Sequence, residues 1–194
     1  MPTPHEELRA AGIELAADPD RPALPECARL ARRMRERRVR TVGLAPAGDD
    51  VAVPAIAIEL GRALAATSAT TVGVVDAQGS WPCARALVEA DDEGGSLAAS
   101  WLLDNLAVLT PRAPHPGAAL DRLRDVVEEQ AATFDDLVVD LTGFDHLGEH
   151  LAAFQLLDAV AVVARCGRTT TRQIEHWLRD LPGGRGLGVL LTGV

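Results

Sequence analysis

Short runs of apolar, mostly β-branched residues alternate along this chain with longer stretches whose apolar positions recur at helical spacing. The short runs are Thr41 to Ala45, Thr70 to Asp76, Leu106 to Thr110, Asp136 to Leu141, Ala159 to Ala164 and Gly186 to Thr192. Each is apolar without alternation, as strands buried on both faces are. Helices are predicted over Leu24 to Arg38, from Pro54 to Ala66, and over Cys83 to Ala90, Leu97 to Asp104, Ala118 to Ala132, Leu147 to Leu156 and Thr170 to Leu181. Pro25 suits a first helical turn, where its missing N–H is no loss, and Glu26 beside it meets the positive end of the helix dipole. Strands alternating with helices imply right-handed crossovers and an α/β fold, a mainly parallel doubly wound sheet flanked by helices. Its functional sites belong at the carboxyl ends of the strands, where Asp76, Asp140 and the loop Pro46 to Asp50 fall. Residues 1 to 23, rich in Pro, Asp and Ala with a short helix from Glu6 to Ala17, read as a loosely held arm before a single domain spanning 24 to 194.

Composition narrows the function. A chain of 194 residues with 47% hydrophobic content supports one domain with a full core. No apolar run reaches the ~20 residues of a membrane span, and the start MPTPHEEL lacks a secretory pattern, so a cytoplasmic protein is expected. Cys27, Cys83 and Cys166 are far apart and read as single reduced thiols; no metal is assigned. All 19 basic residues are arginine, and both lysine and tyrosine are absent. A net charge of −9 argues against nucleic acid. Seven arginines nevertheless crowd between Arg29 and Arg40. They read as a solvated helix face, as a docking surface for an acidic partner or a neighbouring subunit, or as a local membrane or nucleic-acid patch. Glu26, Arg29 and Arg32, at three-residue steps, form a charged ridge on that helix.

The stretch Thr41 to Ala66 reads as a buried strand, a loop of small residues and an apolar helix, and so resembles the phosphate-holding unit of P-loop proteins. In GxxxxGK[ST], stacked N–H groups cradle phosphates, the lysine neutralises charge and the hydroxyl binds magnesium. Aligned back from the helix, the lysine position falls on Val53 and the hydroxyl position on Pro54. The loop holds Gly48, Asp49 and Asp50. A carboxylate there either fills the place of a phosphate or simply caps the helix, and both readings oppose anion binding.

The order of these pieces resembles the cytoplasmic tyrosine kinases of bacterial capsule and exopolysaccharide export (BY-kinases), within the MinD/ParA-like, SIMIBI-type P-loop class. Glu26, Arg29 and Arg32 match that family's ExxRxxR helix, which packs its subunits into a ring. Asp76 stands at the start of the second Walker element, with Gln78 where a second Asp is usual. LAVLTPRAPHP from Leu106 is similar to the strand and loop that follow, FDDLVVD from Phe134 to the Walker B strand, and DAVAVVARCGRTTTR from Asp158 to the next strand and turn. Leu141, Thr142, Gly143 and Phe144 replace the usual residues after Walker B.

The resemblance, with its lysine, hydroxyl and tyrosines missing, implies a pseudokinase: not an enzyme, with a degenerate pocket of Gly48, Asp49, Asp50, Val53, Pro54, Asp76 and Asp140, and with neither ATP nor magnesium as cofactor. Asp76 and Asp140 stay open between metal or water contacts and capping of the turns that follow them. The implied role is a regulatory or scaffolding protein of polysaccharide biosynthesis and export, peripheral to the inner membrane through a chain-length regulator or co-polymerase. Homo-oligomers, or hetero-oligomers with an active kinase, are the implied assemblies. The alternative is a MinD/ParA-like positioning switch with weak nucleotide binding. A metabolic enzyme is disfavoured, because no GxGxxG or GxSxG appears and the five histidines form no constellation; His146 and His150, four apart, read as surface residues.

Overall fold

The first predicted strand lies inside the sheet. In the computed structural model, which describes residues 24–68, 70–81, 96–112, 119–130 and 132–193 with positions 6, 9, 10 and 88, β1 (Thr41–Pro46) is flanked by two parallel strands, β5 (Asp136–Asp140) and β6 (Ala159–Arg165). With β2 (Val72–Asp76), β3 (Leu97–Leu103), β4 (Leu106–Pro111) and β7 (Gly186–Thr192) they form one seven-stranded sheet of order β3-β4-β2-β5-β1-β6-β7. The chain leaves β1 leftward to β2 and β4, returns to fill the gap with β5, and then crosses β1 to β6. That reversal opens a crevice at the carboxyl ends of β1, β2 and β5.

Strand residues alternate between two apolar layers. On one face, Val42, Leu44, Val74 and Leu190 pack with α1 (Pro25–Arg37) and α2 (Val53–Ser68). On the other, Ala45, Leu137, Val139 and Val162 pack with α3 (Ala119–Gln130), α4 (His150–Leu156) and α5 (Thr171–Asp180). Gly61 brings α2 close to the sheet: a Cβ there would lie 2.7 Å from Val74 Cγ2 and 2.9 Å from Leu106 Cδ1.

Pro25 stands in the first turn of α1, as predicted, and Thr170 caps α5 through a capping box with Gln173. Leu97 to Asp104 is not the predicted helix. It is strand β3, antiparallel to β4 across the turn at Asp104 and Asn105. Its burial alternates along the strand, with Ala98, Ser100 and Leu102 inside and Trp101 outside, stacked on Phe134 at 5.7 Å. The predicted helix from Leu147 begins only at His150, because 142–148 form turns. The arm helix from Glu6 to Ala17 and the helix from Cys83 to Ala90 lie outside the described residues except at isolated positions.

The arginine-rich helix divides its charges. Arg35 makes a two-pronged bond to the buried Asp136, 2.8 Å to Oδ1 and 2.5 Å to Oδ2, and also donates to Thr70. Arg33 donates to the Leu187 carbonyl at 2.6 Å, Arg37 to those of Gly184 and Gly186, and Arg40 to that of Asp135. Arg29 pairs with Glu26, while Arg32 and Arg38 are exposed. The cluster is therefore neither wholly a solvated face nor wholly a docking surface, since four of its members tie α1 and the start of β1 to the rest of the fold.

Candidate functional site at the strand ends

β2 and β5 run in register, so Asp76 and Asp140 end neighbouring strands side by side. Both are buried, at 1% and 3% exposure. Their four oxygens are all engaged. Asp76 accepts from Ser80 N at 3.1 Å and Trp81 N at 2.9 Å, and Asp140 accepts from Thr142 N at 2.8 Å, Thr142 Oγ1 at 2.6 Å and Trp81 Nε1 at 2.8 Å. Trp81 thus spans the pair, main chain on one carboxylate and indole on the other. Burial pushes the Asp76 carboxyl up to about 6; the N–H groups of Trp81, Ser80 and Gly79 oppose this, and the neighbouring Asp140 adds to it. Burial raises Asp140 as well, against its bonds from Thr142 and Trp81. Of the two readings left open by the sequence, capping of the following turns is the one this geometry exhibits.

The loop after β1 departs from expectation. Asp49 and Asp50 neither cap α2 nor occupy a phosphate place. Asp49 turns out to His146 Nε2 at 3.3 Å and Asp50 to Arg165 Nη1 at 3.8 Å, both at the surface. They face away because the loop closes on itself, with Val51 N donating to the Gly48 carbonyl at 3.2 Å and Val53 N to the Val51 carbonyl at 3.1 Å. Val53 is fully buried and shares an apolar cluster with Val51, Ile56 and Trp81. Pro54 follows it at the second position of α2. These residues do not supply the lysine charge, the hydroxyl or the free carboxylate oxygens by which a P-loop holds a magnesium-bound triphosphate.

Beside the loop lies a cavity of about 150 Å³ whose lining includes Gly48, Asp49, Thr142, His146 and Trp177. His146 and His150 do not act together. His150 is packed edge-on against Phe154 and Trp177 and faces Asp180 at 3.5 Å, whereas His146 meets Asp49. Glu26, Arg29 and Arg32 lie on α1, and Glu26 and Arg29 line a shallow pocket beside Leu187 and Val189 of β7. Among the described residues no group of three or more His, Cys, Asp or Glu is placed to hold a metal ion, and no helix is long and apolar enough to cross a membrane. Trp81 and Thr142 escaped the sequence reading as site residues. Thr142 carried a faint signal, a hydroxyl two residues after an Asp at a strand end, where Asp side chains turn back on the chain.

The fold, a seven-stranded, mostly parallel sheet between two helical layers, is shared with a ParA family ATPase. It is likewise similar to that of bacterial tyrosine kinase domains. The BceF tyrosine kinase domain superposes with a TM-score of 0.65 at 16% identity, over 100% of this chain and 91% of that one. The kinase domain of Escherichia coli tyrosine kinase ETK superposes with a TM-score of 0.65 at 17% identity, over 99% and 88%. A ParA family ATPase from Chlorobium tepidum superposes with a TM-score of 0.57 at 17% identity, over 79% and 73%. Compared with known protein families and with curated proteins, the sequence matches none.

These likenesses correct one expectation. The chain was expected not to be an enzyme, yet several of the structures sharing its fold are tyrosine kinase domains. The physical reason is that lysine and tyrosine are only part of the apparatus; backbone N–H groups also bind phosphate, so their absence from the sequence does not decide activity.

Proposed function

We propose that this protein is a BY-kinase-like regulatory or scaffolding component of capsule or exopolysaccharide biosynthesis and export, working in the cytoplasm through a membrane chain-length regulator. The observation that carries the reading is a contrast between two places on the molecule. The strand-end carboxylates are spent on the chain's own donors, while the ridge of Glu26, Arg29 and Arg32 remains at the surface, with Arg29 69% exposed. In this reading α1 docks on the membrane partner or a neighbouring subunit, and magnesium-bound nucleotide is not held at Val53 and Pro54.

The test mixes the purified protein with the cytoplasmic segments of a co-polymerase from the same gene neighbourhood and follows association by light scattering. Association weakened at least ~10-fold by Glu26→Ala/Arg29→Ala, a loss of about 1.4 kcal/mol, supports the role; absence of association with both partner and self removes it. Calorimetric titration with magnesium–ATP and magnesium–ADP reads the pocket separately. Silence is expected, from the Val53→Lys/Pro54→Ser variant also. Micromolar binding would bring forward a nucleotide-driven positioning switch, the reading to which the ParA likeness lends support.

A further inference from the structure

Sheet edges present backbone groups that no neighbouring strand bonds, and proteins either guard such groups or use them. At β7 the guard covers only the first half: Arg33 and Arg37 reach from α1 to the carbonyls of Gly184, Gly186 and Leu187. Beyond them, Leu190 pairs with Val163 of β6 and Thr192 with Arg165, the Thr192 carbonyl accepting from Cys166 N at 2.9 Å. Successive residues of a strand aim their N–H and C=O to opposite sides, so Val189 and Leu191 aim theirs away from β6. Among the described residues nothing bonds them. Their side chains are exposed too, at 38% and 49%. The surface beside this segment is hollowed. A depression of about 170 Å³ between α1 and β7 is lined by Cys27, Ile56 and Leu190, and a second of about 130 Å³, with Arg29 and Arg33 in its lining, shares Glu26 and Leu190 with the first.

We propose that Val189 to Thr192, with the groove beside α1, is a docking edge for an extended acidic and apolar peptide of a partner protein, which adds to the sheet as a further strand beyond β7. The outward N–H and C=O groups of Val189 and Leu191 bond the incoming backbone, and side-chain pockets select its sequence. An apolar residue of the peptide seats beside Ile56 and Leu190, and an acidic one two places along on the same face meets Arg29. Arg29 is open to such a carboxylate because its own partner, Glu26, forms an exposed pair worth little in water. The bulge at Leu187 and the two guarding arginines confine pairing to this one short segment. The inference rests on the reading that α1 faces a partner, and adds the chemistry of the segment that binds there.

The probe is a phage library of random dodecapeptides, panned against the full chain, with the enriched peptides then synthesised and titrated. Enriched sequences are expected to place an acidic residue two positions from an apolar one. Their binding should weaken at least ~10-fold in Arg29→Glu, which disturbs no buried group, and in Leu191→Pro, which deletes an outward N–H while Leu190 and Thr192 keep their bonds to β6. Peptides without an acidic residue, or peptides that bind both variants as tightly as wild type, overturn the docking edge. Should Leu191→Pro not fold, the wild-type amide protons of Val189 and Leu191 decide. Exchange with solvent slowed at least ~10-fold by bound peptide supports an added strand, and unchanged exchange overturns it. Association with the co-polymerase segments is measured apart from these peptides, so the export role fails there and the docking edge fails here.

Discussion

Asp76 ends a strand beneath Trp81, where water does not reach it, and its acidity records that position. Burial holds its carboxyl at about 6, above the ordinary carboxylate range. The folded state therefore holds the proton more tightly than the unfolded chain, and stability falls as pH rises from about 4 to above 6. At ~1.4 kcal/mol per pKa unit, the cost above pH 6 is of the order of 2–3 kcal/mol. Asp140 is shifted in the same direction and adds to the slope. Urea unfolding at pH 4.5 and pH 7 should show this fall in the wild type and a shallower one in Asp76→Asn; equal slopes would contradict the burial argument. Arg35 poses the opposite problem. Its guanidinium serves Asp136, whose side chain has no solvent exposure. Arg35→Met leaves that carboxylate, among the described residues, with only the Thr70 hydroxyl, and a loss of about 3–5 kcal/mol is expected from chemical denaturation.

Among elements, α2 is held to the sheet by a missing side chain. Gly61→Ala places a methyl against Val74 and Leu106 and should cost about 1–3 kcal/mol. Gly183→Ala meets nothing within 4 Å and should stay within ~0.5 kcal/mol of wild type. Thermal melts of the two variants compare a tight contact with an open one. The inner strands were legible in the sequence because both their faces are buried, so β-branched runs such as Val72–Asp76 carry the signal unaided. β3 was not legible. Its alanines and leucines favour helix, and what makes it a strand is its antiparallel pairing with β4 and the stacking of Trp101 on Phe134, far along the chain. The site divides in the same way. The places of Asp76, Asp140 and Val53 followed from strand ends and a loop length, whereas the directions of Asp49 and Asp50 and the arrival of Trp81 depend on turn geometry that no spacing encodes.

For the whole molecule, the exposed margin of the sheet matters most. β7 carries an extra residue, Leu187, where its register against β6 slips, and Arg33 and Arg37 reach from α1 to the carbonyls of Leu187, Gly186 and Gly184. A bulge and charged side chains are the means by which edge strands resist pairing with other chains. Arg33→Ala/Arg37→Ala should therefore raise concentration-dependent light scattering on mild heating, while Glu36→Ala, an exposed control on the same helix, should not. Scattering unchanged in the double variant would mean that the edge is guarded by something else.

The close seating of Gly61 has a mechanical side. With no side chain to act as a cushion, α2 and β2 interlock as one stiff lever, because close-packed surfaces do not slide without lifting apart.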